Sequence, residues 1–345
     1  MKAVRFHEHG GPEKLQYEDA PDPFAGPGEV VVAVEACALN YLDIWERRGL
    51  PGVKLPFPHI SGADIAGTVA AVGAGVSKPK VGERTLLYPA VSCMQCKYFH
   101  LGRDSFCRSY SVLGYFTDGG YAEYVKVPSV NALPYPDPLN ASDAAALPLV
   151  FLTAWHMLVE RCRIQPGEDV LVLGAGSGVG SAAIQIAKLF HCRVITTVGS
   201  EAKIEKARAL GADSVLDHTR QDLRDEVRKL TEKRGVDIVF EHVGAATWDA
   251  SVACLAAGGR LVTCGATTGY EAKLDLRHLF ARQLSVLGSY MGSKAELLEV
   301  LQHVRAGRLR PVVSEVFPLA EAAAAQTLME SRGQFGKIVL QVRGS

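Results

Sequence analysis

Residues Asp169 to Phe190 read DVLVLGAGSGVGSAAIQIAKLF, and the fold is decided here. Val170 to Leu173 is a short apolar run, rich in β-branched residues and preceded by charge. A glycine-dense turn follows, in which Gly174, Gly176, Gly178 and Gly180 alternate with small residues. Apolar side chains then recur at helical spacing: Val179, Ala183, Ile186, Ala187 and Phe190. The pattern predicts strand, tight turn and helix. A helix that begins in such a turn offers free N–H groups and a partial positive charge to a phosphate. Only small residues let the backbone approach a pyrophosphate closely. Gly176, Ser177, Gly178, Val179 and Gly180 are therefore candidate dinucleotide contacts.

Downstream, the same rhythm repeats. Arg193–Val198, Ser214–Leu216, Val236–Glu241, Arg260–Gly265 and Ser285–Gly288 read as further strands. Helical segments at 201–210, 222–233 and 248–256 separate the earlier ones. Apolar runs each followed by a helix mark a parallel sheet covered on both faces, and six of them make a doubly wound nucleotide-binding fold. Upstream, the chain changes character. Glu29–Ala36, Gly67–Val72, Arg84–Tyr88 and Ala122–Val127 are short strands broken by Gly and Pro, with helices expected at 42–48 and 142–147. This predicts a mostly β domain, a small barrel. A last helix at 295–306 and the segments 311–317 and 337–342 are expected to return to it. The division read from sequence is 1–149 with 290–345, and 150–289.

A chain of 345 residues suits two domains, and 48% hydrophobic with 21% charged residues is a globular composition. Lys plus Arg and Asp plus Glu number 37 each, so no overall charge draws the protein to nucleic acid or to an anionic membrane. The opening MKAVRFHEHGGPE has no apolar core and does not read as a signal peptide. The apolar run 144–159 is short for a membrane span, contains Pro148 and His156, and reads as buried structure. Of eight cysteines only Cys93, Cys96 and Cys107 cluster. A reducing cytoplasm, with free thiols or metal ligands, is the expectation.

With the glycine turn and the β-rich leader in hand, the chain resembles the medium-chain dehydrogenase/reductase superfamily. The resemblance rests on NYLD (Asn40–Asp43), SGADIAGTVAAVG (Ser61–Gly73), DGGYAEYVKVP (Asp118–Pro128), LTAW (Leu152–Trp155), AGSGVG (Ala175–Gly180) and FGKIVL (Phe335–Leu340). It implies a chaperonin-10-like catalytic domain, a Rossmann domain and an active site in the cleft between them. The chain looks most like quinone oxidoreductases and zeta-crystallin, with some features of zinc alcohol dehydrogenases. Counted back from Val179-Gly180, the first two glycines of the usual GxGxxG fall on Ala175 and Ser177, a departure that matches quinone reductases better.

Zinc alcohol dehydrogenases hold a catalytic zinc with Cys, His and Cys, leaving one position open. Those positions fall here on Asn40, Ala63 and Leu149, none of them a useful zinc ligand. Cys37 and His59 are off register, so no catalytic zinc is expected. The family's structural lobe has the form C-x2-C-x2-C-x7-C. Cys93, Cys96 and Cys107 are kept, Phe99 takes the third place, and His100 and Asp104 lie near. The lobe is either a structural zinc site with a substitute ligand or a metal-free relict with Phe99 packed inward.

In NAD-specific sites an acidic residue ends the second strand. Here that strand ends at Val198-Gly199-Ser200. The resemblance places the 2′-phosphate of NADPH near Ser200, Lys203 and His218, where donors and positive charge suit it; Ser200 reads equally as a helix N-cap. NADPH is expected over NADH. The resemblance also brings Val243, Gly265, Ala266 and Lys337 to the cofactor and Thr153 to the nicotinamide. Without zinc, charge developing on an acceptor oxygen needs other donors, and Asn40 is the candidate, with capping or bracing a loop as its alternative. Asp43 is expected to pair with Arg47, and His242 is either a proton donor or a hydrogen-bonded strand end.

These readings lead to an NADPH-dependent reductase of quinones or α,β-unsaturated carbonyls. A zinc-type alcohol dehydrogenase and a non-enzymatic NADPH- or RNA-binding protein are the alternatives. A homodimer or homotetramer, paired through the Ser285–Met291 edge, is expected from the resemblance.

Overall fold

The computed structural model describes residues Met1 to Arg343, which divide into two units, Met1–Leu149 with the segment from Arg310, and Val150–Leu309.

In the second unit, β-branched runs bury on both faces and pair as one six-stranded sheet. Its order is Ser214–Asp217, Arg193–Val198, Asp169–Val172, Val236–Glu241, Leu255–Thr263 and Ser285–Gly288, all parallel. The order reverses between Asp169–Val172 and Val236–Glu241, the position at which doubly wound sheets hold ligands. The helices Gly178–Leu189, Leu223–Leu230 and Trp248–Ala253 follow their strands. The third glycine of the fingerprint has a steric reason. A Cβ on Gly180 would stand 2.3 Å from the carbonyl oxygen of Gly174, so any side chain there displaces the turn.

The return to the first unit comes later than expected. Helix Lys294–Arg305 belongs to the second unit, and the boundary lies at Arg310 rather than at 290. The sheet ends at Gly288, but this helix still has a stripe to bury: Leu297, Val300, Leu301 and Val304. Ser293 and Glu296 form a capping box at its start, and Glu296 also pairs with the buried His156 at 2.8 Å. His156 opens a six-residue π-helical turn, His156–Arg161, that the apolar pattern did not reveal. The stretch Ala141–Arg161 is long and apolar enough to cross a membrane, but 78% of its apolar 18-residue window is buried inside the protein.

In the first unit, seven strands pair in one sheet. Glu29–Ala38 is its centre, antiparallel to Asp64–Val72, Tyr124–Pro128 and Lys337–Gln341. Val313–Pro318 pairs parallel to Lys337–Gln341 at one side. The expected helices appear as Tyr41–Arg48 and Ala141–Ala145. The returning strand fixes a long-range register: Val339 faces Ala38, and Leu39 donates its N–H to the carbonyl of Ile338 at 2.9 Å. Lys337 is thereby laid beside Asn40.

Candidate active site

At the glycine turn, Ser177 caps the helix Gly178–Leu189. Its hydroxyl accepts from the amide of Gly180 at 2.9 Å and donates to the carbonyl of Gly174 at 2.9 Å. This leaves the amides of Gly178 and Val179 at the open end of the helix. Thr197, on the neighbouring strand, holds the turn from the other side: its hydroxyl accepts from Gly174 and its carbonyl from Ala175, both at 2.9 Å. His242 braces the turn from below. Its Nε2 lies 2.8 Å from the carbonyl oxygen of Leu173 and 3.3 Å from the Ser177 hydroxyl. Burial pushes its pKa below the usual histidine value, so the ring is a neutral strut and the hydrogen-bonded reading of His242 holds.

The turns after the fourth and fifth strands are stitched together. The amide and hydroxyl of Thr268 both donate to the carbonyl of Val243, at 2.9 and 2.7 Å. Gly244, at φ +96°, packs so that a Cβ would lie 2.8 Å from Cα of Ala266. A Cβ on Gly265 would lie 3.3 Å from the carbonyl oxygen of His242. Val243, Gly265 and Ala266 thus meet at one place. Sequence reasoning missed the residue that holds them. Glu241 is fully buried, and its carboxylate accepts from the amides of Val243 and Gly244 and from the Thr247 hydroxyl, each at 2.9 Å. A carboxylate placed directly after the apolar run Ile238–Phe240 was the available signal. Thr153 is buried in the helix Pro148–Trp155; its hydroxyl lies 3.9 Å from Sδ of Met291, not on these turns.

Ser200 and His218 come together at the ends of the second and third strands, where a Cβ on Gly199 would lie 3.2 Å from the His218 ring. Ser200 stands at the N-cap position of the short 3-10 turn Glu201–Lys203, but its side chain makes no cap bond there. Lys203 closes that turn; burial first and the neighbouring Lys206 second lower its pKa. Arg220, not anticipated from sequence, is near: its guanidinium lies 3.3 Å from Glu201 and 3.8 Å from Asp217. The Asp217 carboxylate is engaged by its own turn, accepting from the amide and hydroxyl of Thr219 at 3.0 and 2.7 Å.

The first unit buries a polar cluster around Asn40. Asp64 is fully buried. It accepts from Asn40 Nδ2 at 3.0 Å, from Lys337 Nζ at 2.8 Å and from the backbone N–H of Leu149 at 2.8 Å. Lys337 Nζ also donates to Asn40 Oδ1 at 2.6 Å. The three positions aligned with zinc ligands therefore do converge, since Asp64 touches Asn40 and Leu149 and follows Ala63 in the chain. Their donor set does not fit zinc. It offers no thiolate or imidazole, and an ammonium already neutralises the one carboxylate. His59 Nε2 is bonded to the carbonyl of Gly114 at 2.7 Å, and Cys37 is fully buried. Lys337, expected at the cofactor, has its ammonium buried against Asn40 and Asp64.

Asp43 does not pair with Arg47. Its carboxylate accepts from the backbone N–H of Asn40 and the Tyr121 hydroxyl, both at 2.8 Å, while Arg47 reaches Glu330, Gln326 and the carbonyl of Gly10. On one helix turn, Asp43 and Arg47 would be neighbours, but the fully buried guanidinium finds better acceptors across the chain. Burial raises the Asp43 pKa to about 6 despite those two hydrogen bonds, and raises that of Glu46 as well. Asp43 Oδ1 and Glu46 Oε1 are buried with no donor, an arrangement that a retained proton relieves.

The sulfurs of Cys93, Cys96 and Cys107 lie within 4.8 Å of one another, and no other group of three or more His, Cys, Asp or Glu ligand atoms is so close among the described residues. The amides of Cys93 and Ser109 point at Cys107 Sγ from 3.5 and 3.4 Å. N–H groups of Gln95 foremost hold the Cys93 thiol down to about 7. Three sulfurs that converge in this way fit a thiophilic metal. Asp104 is turned away, accepting from the Tyr88 hydroxyl at 2.9 Å. Phe99 is half-buried on the short helix Lys97–His100, edge-on to His100.

Two families match this chain: the alcohol dehydrogenase GroES-like domain over residues 26–137, and zinc-binding dehydrogenase over residues 178–306. An NAD-dependent alcohol dehydrogenase of Sulfolobus acidocaldarius is 34% identical, over 99% of this chain and 100% of its own length. The quinone oxidoreductase of Rattus norvegicus is 30% identical, over 99% of this chain and 97% of its own. The crystal structure of an NAD-dependent alcohol dehydrogenase superposes with a TM-score of 0.96 at 48% identity, covering 99% of this chain and all of that one.

Proposed function

The chain belongs to the medium-chain dehydrogenase/reductase superfamily and is a nicotinamide-nucleotide-dependent oxidoreductase; on that premise we propose that it reduces quinones or α,β-unsaturated carbonyls with NADPH and without a catalytic zinc. The observation that carries this reading is the Asn40–Asp64–Lys337 cluster. Lys337 takes Asn40 Oδ1 and Asp64 takes one Nδ2 hydrogen, so the amide cannot turn over. One Nδ2 hydrogen remains to donate to the acceptor's carbonyl oxygen as negative charge develops there. The nicotinamide, when bound, supplies the hydride. A neutral amide stabilises a delocalised enolate or quinol anion adequately and a localised alkoxide poorly, which favours conjugated acceptors over simple alcohols.

Ser200, Lys203, His218 and Arg220 support NADPH, offering donors and positive charge for a 2′-phosphate. The names of two similar proteins favour a second reading, an NAD-linked alcohol dehydrogenase. One panel separates the two. Quinones and enals are assayed with NADPH and NADH, and primary and secondary alcohols with NADP+ and NAD+, at 340 nm, with and without chelator. Turnover of enals or quinones with NADPH, unaffected by chelator, is expected. Chelator-sensitive alcohol oxidation with NAD and no NADPH turnover would overturn the proposal.

The lobe of Cys93, Cys96 and Cys107 would hold a structural zinc in the same reading, and all eight cysteines are free thiols, as a reducing cytoplasm would keep them. Ser285–Gly288 is the outer strand of its sheet, with Val286 and Tyr290 exposed, and is the edge through which two copies would pair into a homodimer or homotetramer. Neutral charge favours small-molecule partners over nucleic acid.

A further inference from the structure

We infer that the Cys93–Cys96–Cys107 lobe keeps one coordination position open and takes there a small anionic thiol from solution. The inference rests on the reading that the lobe holds zinc.

Closed structural zinc sites have four protein ligands, whereas sites with three leave a position for an exogenous ligand. Here three sulfurs converge within 4.8 Å, and among the described residues no fourth His, Cys, Asp or Glu atom joins them. The nearest substitutes, Asp104 and His100, bring no ligand atom into the cluster. Asp104 is buried and accepts from Tyr88, and His100 is exposed with its ring against Phe99. Phe99 stands where a fourth thiol would come from and carries no donor. Cys93 and Cys96 are only half-buried, so the sulfur face is open to solvent. Its surroundings are basic. Lys97, Arg103 and Arg108 are exposed on the lobe, and its one carboxylate, Asp104, is turned inward. A thiolate suits a thiophilic metal, and carboxylates on the same molecule suit this rim.

On binding, the thiol gives its proton to solvent and its sulfur takes the open position in place of water. Nothing is oxidised or reduced.

The full-length protein is loaded with Co(II) in place of zinc, and the sulfur-to-cobalt absorption is followed as glutathione or neutral 2-mercaptoethanol is added. Going from three sulfurs to four should raise that band by about one third. Glutathione should half-saturate at a severalfold lower concentration than 2-mercaptoethanol, the gap closing in high salt. Phe99→Cys should start at the higher intensity and ignore both thiols. Wild-type protein that takes up no metal overturns the zinc reading itself. Metal uptake with a band insensitive to both thiols overturns only the open position. Equal response to the two thiols overturns the anionic preference. Should Phe99→Cys fail to fold, the wild-type titration decides alone.

Discussion

Replacing Lys337 with Met tests what the buried cluster does. The side chain is buried, with its ammonium 2.6 Å from Asn40 Oδ1 and 2.8 Å from Asp64 Oδ2. Methionine keeps the stem's volume and removes the charge. Asp64 then remains a fully buried carboxylate with only the Asn40 amide and the Leu149 N–H for support. Breaking a buried pair from one side costs about 3–5 kcal/mol, mostly the penalty of the charge left behind. The double variant Lys337→Met, Asp64→Asn removes that charge and should recover much of the loss, giving a coupling energy of about 1–3 kcal/mol in a double-mutant cycle from urea unfolding.

The second consequence is catalytic. In Lys337→Met the ammonium no longer holds Asn40 Oδ1, and the amide, kept only by Asp64 and by the capping box of its own helix, aims its remaining N–H less strictly at an acceptor. Loss of one preorganised oxyanion donor costs about 10²–10³ in kcat, or about 3–4 kcal/mol. The double variant should stay impaired in kcat although its stability recovers, while cofactor binding, followed by quenching of protein fluorescence, changes little in either. Lys337→Arg should rescue in part. The reasoning fails if Lys337→Met weakens NADPH binding tenfold or more while kcat holds. Lys337 would then be a cofactor contact, as its motif alone implies.

Three further outcomes are expected. Because burial raises the pKa of Asp43 to about 6 and that of Glu46 too, both acids hold protons in the folded state that the unfolded chain releases. Stability should therefore fall as pH rises from about 4 through 6 and beyond; Glu46→Gln, which keeps an acceptor for Ser61, should flatten the Tm-against-pH curve and melt higher at pH 8, and an unchanged slope would count against a retained proton. Lys203→Ala and Arg220→Ala together should lower kcat/KM for NADPH by about tenfold or more and leave NADH nearly unaffected; equal losses would mean that neither residue meets a 2′-phosphate. Gly180→Ala places a methyl 2.3 Å from the Gly174 carbonyl oxygen, so cofactor affinity should fall at least tenfold, or the second unit should unfold at markedly lower urea, and retention of both would refute the steric role given to this glycine.

The nucleotide-binding half of the molecule was legible because its signals are local. A β-branched run, a glycine turn and a helical stripe lie within 22 residues of chain (Asp169 to Phe190), and the repeated strand–helix rhythm marks the parallel sheet that the structure shows. The errors have local causes too. Ser200 looks like a cap by residue type and stands at the cap position, but its hydroxyl makes no cap bond. The 290 boundary took the last strand as the end of a domain whose last helix still had apolar residues to bury. The cluster at Asn40 was illegible for a different reason. Its members lie at 40, 64, 149 and 337, and only strand pairing joins them: Glu29–Ala38 against Asp64–Val72 on one side and Lys337–Gln341 on the other. No spacing rule spans 297 residues, so a sequence reading could find that the zinc ligands were missing but not what replaced them. The replacement is an ion pair whose geometry orients one amide. The charge that zinc would bring directly to an acceptor oxygen is here, on the proposed reading, held one residue back, in Lys337, and acts by fixing Asn40. That arrangement tolerates acceptors that spread their own charge and penalises those that localise it, which ties the substrate class to the pairing of a single C-terminal strand.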